Sequence, residues 1–437
     1  MAAGRGNAAV WSAPMPIRRL LYVCLDGLAD DPIPELGDRT PLEAARTPVL
    51  DMLAERGRTG TVITVAPGVA PESDIGVFGI LGYDPREEHP GRGVLEAIGS
   101  DMEFRDGDLA YRVNFATAEG RAIVDRRVGR DLSSEEAEAL AEEVNEKLDL
   151  VGARFRLKAT VEHRGALVIR SEGGPLSAEV TNTDPAYAKE GPLGVALETF
   201  DNEIARAEPI EDTPEARLAA ELTNSFVEGA QQVLEASQIN ADRRRRGGLA
   251  ANLILTRDGG DHIPHLQPIK ERFGPSWGCF VEMPVERGIA LLLRMEEVPA
   301  PRLDNSDQGF AAWAGLAAEA LEGYDALYVH IKGPDVPAHD GRFEDKRDVI
   351  EAIDRAFFGE VLGLIDPHRT VIAVTADHAT SCLRKAHTAD PVPLLVSGGS
   401  VRPDGSPAFG ERVAERGSLG LMAGVEVVPA LVAALRD

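Results

Sequence analysis

The sequence predicts an α/β fold with a mostly parallel sheet, interrupted by an inserted α+β block. Apolar runs at Leu20 to Leu25, Ala326 to Ile331 and Val371 to Thr375 are bounded by Gly, Pro and Asp, and have the length of buried parallel strands. Helix-like stretches alternate with such runs at both ends of the chain. After about residue 104 the pattern changes to closely spaced strand-like pieces. At 437 residues the chain also exceeds one simple core, so two domains are expected.

Each element has a local signal. Thr47-Pro48 opens a helix through Leu50, Leu53 and Ala54 that closes at Gly57. Val62 to Val65 reads as a strand, and Pro71-Glu72-Ser73-Asp74 leads into a short helix with Ile75, Phe78 and Leu81 on one side. In the central block, Ala110 to Phe115, Ala122 to Asp125, Arg154 to Val161 and Ala166 to Arg170 read as strands. Ser133-Ser134-Glu135-Glu136 forms a capping box ahead of Leu140, Val144 and Leu148. A second helix starts at Thr213-Pro214 and runs through Leu218, Leu222 and Phe226, and Ser276 to Glu282 is a strand on the return. These signals give a disordered tail at 1–16, a discontinuous domain at 17–104 and 263–437, and an insert at 105–262.

The net charge of −26 argues against nucleic acid and anionic membrane as partners. The one dense basic run, Arg243 to Arg246, reads as a solvated loop or a phosphate-facing turn. Cys24, Cys279 and Cys382 lack metal-type spacing and suit a reduced, cytoplasmic protein. No run approaches the roughly 18 apolar residues that a membrane span needs. The stretch Met1 to Pro16 has no apolar core of a signal peptide.

Chemistry gathers where the apolar runs end. Asp26 follows the first; Asp335 and His339 follow the second; Asp377, His378 and then His387 follow the third. Ligands of parallel sheets collect at the carboxyl ends of strands. Three carboxylates and three imidazoles suit Mn or Zn, and are too many for one open catalytic ion but right for two. His89, His163, His262, His265 and His330 show no such placement; His330 lies inside a strand and reads as core. Ser73 stands just ahead of a helix, which fits either an N-cap or a nucleophile. A helix N-terminus and a nearby metal would both stabilise its alkoxide, and the ligand set favours the nucleophile.

Taken together, several motifs resemble the cofactor-independent phosphoglycerate mutases of archaeal type, within the alkaline phosphatase superfamily. They are Asp26-Gly27, Pro71-x-Ser73-Asp74, Leu81-Gly82-Tyr83-Asp84-Pro85, Gly91-Arg92-Gly93-x-Leu95-Glu96-Ala97, Asn114 to Thr117, Lys332-Gly333-Pro334-Asp335-x-x-x-His339-Asp340, Thr375 to His378, and Lys385-x-His387-x-x-Asp390-Pro391-Val392-Pro393. The likeness spans the chain from about residue 18. It implies an alkaline-phosphatase-like three-layer domain, with the insert as a lid for glycerate. It implies that Ser73 takes the phosphoryl group, that Asp26, Ser73, Asp377 and His378 hold one ion, and that Asp335, His339 and His387 hold the other. The ions would be Mn or Mg, with Zn a further candidate.

The implied substrate, 2- or 3-phosphoglycerate, needs cationic partners, for which Arg126, Arg127, Arg130, Arg257, Arg287 and Lys332 are the candidates. Arg287 stands where the family usually has Lys. Segments near 100–110 and 260–275 would serve as hinges. Alternative activities on the same scaffold are phosphohydrolysis and phosphotransfer to a small alcohol, as in a homoserine-kinase-like enzyme. A non-catalytic binding protein is the third reading. The sequence sets no oligomeric state.

Overall fold

The computed structural model describes residues 18–190, 193–197 and 199–436, so the expected tail at 1–16 lies outside the described residues. Eight strands form the larger sheet, in the order Glu296–Glu297, Trp277–Phe280, Ala326–Ile331, Arg19–Leu25, Thr370–Thr375, Val392–Gly398, Arg58–Ile63 and Gly420–Ala423. Pairing is parallel from the first of these through Thr370–Thr375. Val392–Gly398 runs antiparallel to both neighbours, and the last pair is parallel again. The three predicted apolar runs are therefore adjacent central strands, and every residue of Ala326–Ile331 and Thr370–Thr375 is buried. Helices Pro48–Glu55, Asp307–Ala320 and Gly424–Arg436 bury Leu50, Leu53, Phe310, Trp313, Val427 and Leu431 in the same core.

A second sheet runs Ala122–Asp125, Leu109–Glu119, Arg164–Ser171, Ala153–Ala159, with Leu253–Gly260 also paired to Leu109–Glu119. Helices Ser134–Lys147 and Pro214–Glu235 close its own apolar cluster. The chain thus leaves the larger sheet after Arg58–Ile63 and rejoins it at Trp277–Phe280, with the helix Arg92–Gly99 packed between the two sheets.

Several local expectations shift. The strand expected at Val62 to Val65 is Arg58–Ile63, because Val392–Gly398 pairs along Arg58 to Val62 and hides Thr59 and Thr61. Thr47 does not cap its helix with its side chain; Asp354 accepts the Val49 and Leu50 N–H groups instead. Only one arm of the capping box forms, Ser133 accepting from the Glu136 N–H. Glu136 instead faces Arg243 and Arg246. Arg243 to Arg246 is no loop: it ends the helix Gln238–Arg245, where cations suit the exposed carbonyls. Its side chains pair with Asp131, Glu136, Glu235 and Asp242.

The helix after Glu72 also departs from expectation. Ser73–Ile80 is buried on every side rather than one, wedged against the C-terminal helix and Pro284–Leu292. A Cβ built at Gly79 would overlap the Thr64 carbonyl oxygen, so the helix can approach the sheet this closely only with glycine there. Gly79→Ala is expected to lower stability by about 1–3 kcal/mol. Gly363→Ala, where a Cβ meets nothing within 4 Å, should leave thermal unfolding unchanged or slightly raised.

Candidate active site

The register of the central strands builds the site. Leu25 pairs with Ile331 and Cys24 with Thr375. One step further Asp26 and Lys332 leave the sheet side by side, with Asp377 level with Asp26. His378 follows Asp377, Asp335 opens the short helix Asp335–His339, and His387 stands opposite Thr380 in a two-stranded hairpin. The six predicted donors converge. His378 Nε2 lies 3.4 Å from Asp26 Oδ1 and 3.2 Å from Asp377 Oδ2. Asp335 Oδ1 lies 3.4 Å from His339 Nε2 and 3.8 Å from His387 Nε2. Overlapping triads Asp335/His339/His387, Asp26/Asp335/His378 and Asp26/His330/Asp377 each keep their donor atoms within 4.8 Å of one another.

Two features fit divalent cations. Asp26 Oδ1 and Asp377 Oδ2 are buried with no hydrogen-bond donor, an arrangement that costs free energy unless a cation completes it. His387 Nδ1 donates to the Pro71 carbonyl at 2.7 Å and His339 Nδ1 faces the Lys385 carbonyl at 3.3 Å. Their Nε2 lone pairs then face each other at 3.1 Å, where a metal would satisfy both.

Ser73 is not the helix cap. Glu72 occupies that position, Ser73 is the first helical residue, and its Oγ lies 3.1 Å from His378 Nε2. The hydroxyl is thus beside the ligand cluster, at the positive end of a buried helix.

Burial and like charge set the electrostatics. Burial, then the neighbouring Asp26, pushes Asp377 up to about 8. Burial alone would raise Asp26, but Lys332 and the flanking imidazoles hold it well below the usual carboxylate range. Lys332 donates to Asp26 Oδ2 at 2.5 Å and lies 3.3 Å from Glu286 Oε1.

Beside Ser73 lies a narrow recess lined by Glu72, Asp74, Ile75, Arg92, Tyr187 and Arg257, among others. Arg257 stacks 3.7 Å over the Tyr187 ring. The Nε groups of Arg112 and Arg257 are buried and without an acceptor. Burial and the neighbouring guanidinium groups of Arg257 and Arg92 lower Arg112 to about 9. Unsatisfied buried cationic donors in a cleft call for an anion.

Comparison with known proteins agrees with this geometry. Residues 54–240 match the family model described as 2,3-bisphosphoglycerate-independent phosphoglycerate mutase, and residues 296–433 match the metalloenzyme superfamily. A 2,3-bisphosphoglycerate-independent phosphoglycerate mutase of Aeropyrum pernix is 42% identical over 94% of this chain and 98% of its own.

The chain belongs to that family.

The Methanopyrus kandleri member is 39% identical over 95% of this chain and 96% of its own. A solved cofactor-independent phosphoglycerate mutase from Thermoplasma acidophilum is 33% identical, covers 95% of this chain and 99% of its own, and superposes with a TM-score of 0.64. A solved Pyrococcus horikoshii protein covers 97% of this chain and 98% of its own at 31% identity, with a TM-score of 0.79. As in the family's metalloenzyme description, the donor set here fits divalent metal.

The remaining predicted cations scatter. Arg257 lines the recess, and Arg126 lies 5.2 Å from the Tyr187 ring while paired to Asp184. The Arg127 guanidinium is lowered by burial, with Arg130 and Arg126 nearby. Arg130 reaches Asp340 at 3.3 Å. Arg287 is a correction: it binds Asp101 and Glu297, away from the cluster, because it leaves its helix about 100° round from Glu286. Lys332 is the cation beside Glu286. His330 is buried in its strand as expected, and its Nε2 also lies 3.0 Å from Asp26 Oδ2. Arg92, Arg112 and Tyr187 escaped sequence reasoning, although Arg92 stands in the glycine-bracketed Gly91-Arg92-Gly93.

Metal loading is expected to stabilise the chelated protein, by about 2.7 kcal/mol when free metal is 100-fold above Kd. Below pH 8 the incoming ion must displace the Asp377 proton, so the gain should shrink as pH falls from 8 to 6. Calorimetric unfolding with and without metal across that range measures it.

Proposed function

We propose that this chain interconverts 3-phosphoglycerate and 2-phosphoglycerate without free bisphosphoglycerate, through a phosphoserine at Ser73. One observation carries the reading. The Ser73 hydroxyl has the carboxylate and imidazole donors on one side, at 3.1 Å from His378 Nε2, while its neighbours Glu72 and Asp74 line the guanidinium recess on the other. A phosphate ester with a carboxylate, drawn to those guanidinium groups, would meet a nucleophile already flanked by cation donors.

Asp26, Ser73, Asp377 and His378 would hold one ion, and Asp335, His339 and His387 the other. Their mixed oxygen and nitrogen donors suit Mn or Zn, and the family resemblance adds Mg as a candidate. Such ions supply positive charge that lowers the serine pKa and neutralises phosphoryl oxygens. In the first half-reaction Ser73 Oγ bonds to phosphorus, the ester bond to glycerate breaks, and the freed glycerate oxygen takes up the proton that serine loses. In the second, the other glycerate hydroxyl attacks phosphoserine, gives up its proton and regenerates Ser73.

Arg257, Arg92 and Arg112 orient the carboxylate and phosphate, with Arg126 and Arg127 at the margin. Lys332 holds the Asp26 carboxylate charged. Glycerate must stay between the half-reactions, so residues 105–262 act as the lid that excludes water. The Arg130–Asp340 contact and the 7% exposure of Ser73 support a covered site. The three free, buried cysteines support a reducing, cytoplasmic setting.

Incubation with 3-phosphoglycerate and Mn, following 2-phosphoglycerate and inorganic phosphate separately, should give the isomer without phosphate. Phosphate alone would make the chain a hydrolase instead. Ser73→Ala should bring turnover to background while secondary structure by circular dichroism is kept. Arg257→Ala should lower kcat/KM about 100-fold, equivalent to about 2.7 kcal/mol, and near wild-type values would remove it from substrate binding.

A further inference from the structure

Thr380 sits between the two halves of the donor cluster and is fully buried. Its Oγ1 lies 3.0 Å from His378 Nδ1 and donates to Asp335 Oδ1 at 2.8 Å. The backbone around it is fixed on three sides. Its N–H donates to the Ala29 carbonyl at 2.9 Å, the buried Lys346 ammonium donates to its carbonyl at 2.9 Å, and it pairs with His387 across the hairpin. Lys346 also binds Asp30 and the Ala29 carbonyl, so the loop after Asp26 and the hairpin share one ammonium. A Cβ at Gly27 would stand 2.5 Å from Thr380 Oγ1 and 2.8 Å from Asp335 Oδ1, so the Asp26 loop packs directly on this pair.

Proton counting gives the hydroxyl a direction. A carboxylate oxygen only accepts, so the single Thr380 proton goes to Asp335. The hydroxyl oxygen must then accept from His378, which places the imidazole proton on Nδ1. The lone pair of Nε2 is left facing Ser73 Oγ, Asp26 Oδ1 and Asp377 Oδ2. The opposite tautomer would turn an N–H toward those groups and close the position to a cation.

We infer that Thr380 is a positioning residue, whose one hydroxyl fixes the His378 tautomer and the Asp335 carboxylate together and so ties the two cation positions to each other. The inference rests on the ligand assignment proposed above. Without the hydroxyl, Nδ1–H has no acceptor on Thr380, while the charged Asp26 carboxylate, its Oδ1 at 3.4 Å, can accept from Nε2–H. The tautomer then inverts.

Thr380→Val removes the hydroxyl at nearly constant shape, and Thr380→Ser restores it. In chelated protein labelled with nitrogen-15 histidine, and assigned by comparison with His378→Gln, wild type and Thr380→Ser should show His378 protonated at Nδ1. Thr380→Val should show it at Nε2. Titration with Mn should find affinity about 10- to 100-fold weaker in Thr380→Val at both positions and near wild type in Thr380→Ser. The inference falls if Thr380→Val keeps the wild-type tautomer, or binds Mn as wild type does, or if Thr380→Ser behaves like Thr380→Val. Should wild type itself take up no Mn, the ligand assignment fails, and the tautomer comparison still decides the role of the hydroxyl. A Thr380→Val protein that loses its circular dichroism signal is replaced by Thr380→Ala in the same comparisons.

Discussion

The parallel pairing of Arg19–Leu25 between Ala326–Ile331 and Thr370–Thr375 is the constraint on which the rest depends. Strand side chains alternate faces, so a slip by one residue would turn Asp26 and its neighbours to the wrong side of the sheet. The register is held by apolar side chains that are almost wholly buried, including Tyr22, Val23, Val329 and Val374. Hydrophobic pairing deep in the sheet therefore sets where charged groups meet at its edge. At that edge Lys332 and two imidazoles keep Asp26 charged, while burial and the nearby Asp26 push its neighbour Asp377 up to about 8.

The second sheet contributes a different kind of order. It carries Arg112 and Arg257 on paired strands, opposite each other in register. Their guanidinium groups are crowded and their Nε atoms lack acceptors, which the folded chain sustains by placing Glu72, Glu96 and Asp258 nearby. On the proposed reading, anion recognition comes from strands of one sheet and the nucleophile from a helix packed on the other. The proposed phosphoserine route gives this division its sense in a member of the mutase family, since glycerate would have to stay in place between two phosphoryl transfers.

Much of this was legible in the residues, for identifiable reasons. Apolar runs such as Ala326 to Ile331 are unmistakable because both faces are buried, and donors at their ends inherit that certainty. Ser73, Asp335, His339 and His387 could be read because their motifs are local. Other features were hidden because they arise only in three dimensions. His330 looked like core since it lies within an apolar strand, yet the neighbouring strand brings Asp26 to it. Arg92 and Arg112 lie far apart from Arg257 in the chain and meet only through packing of the helix Arg92–Gly99 on the second sheet. Arg287 was assigned by position along its helix, but adjacent helical residues point about 100° apart, so Glu286 faces the site and Arg287 does not. Thr47 and Arg243 to Arg246 show the same limit for caps and charge runs, whose partners came from distant segments.

The all-round burial of Ser73–Ile80 has an evolutionary corollary. A segment with no water-facing side offers no neutral position at which substitutions can accumulate. Any change there must be matched simultaneously in the sheet, the C-terminal helix and Pro284–Leu292. Ser73 is thereby seated in a stretch of chain whose every side chain must suit the elements packed around it.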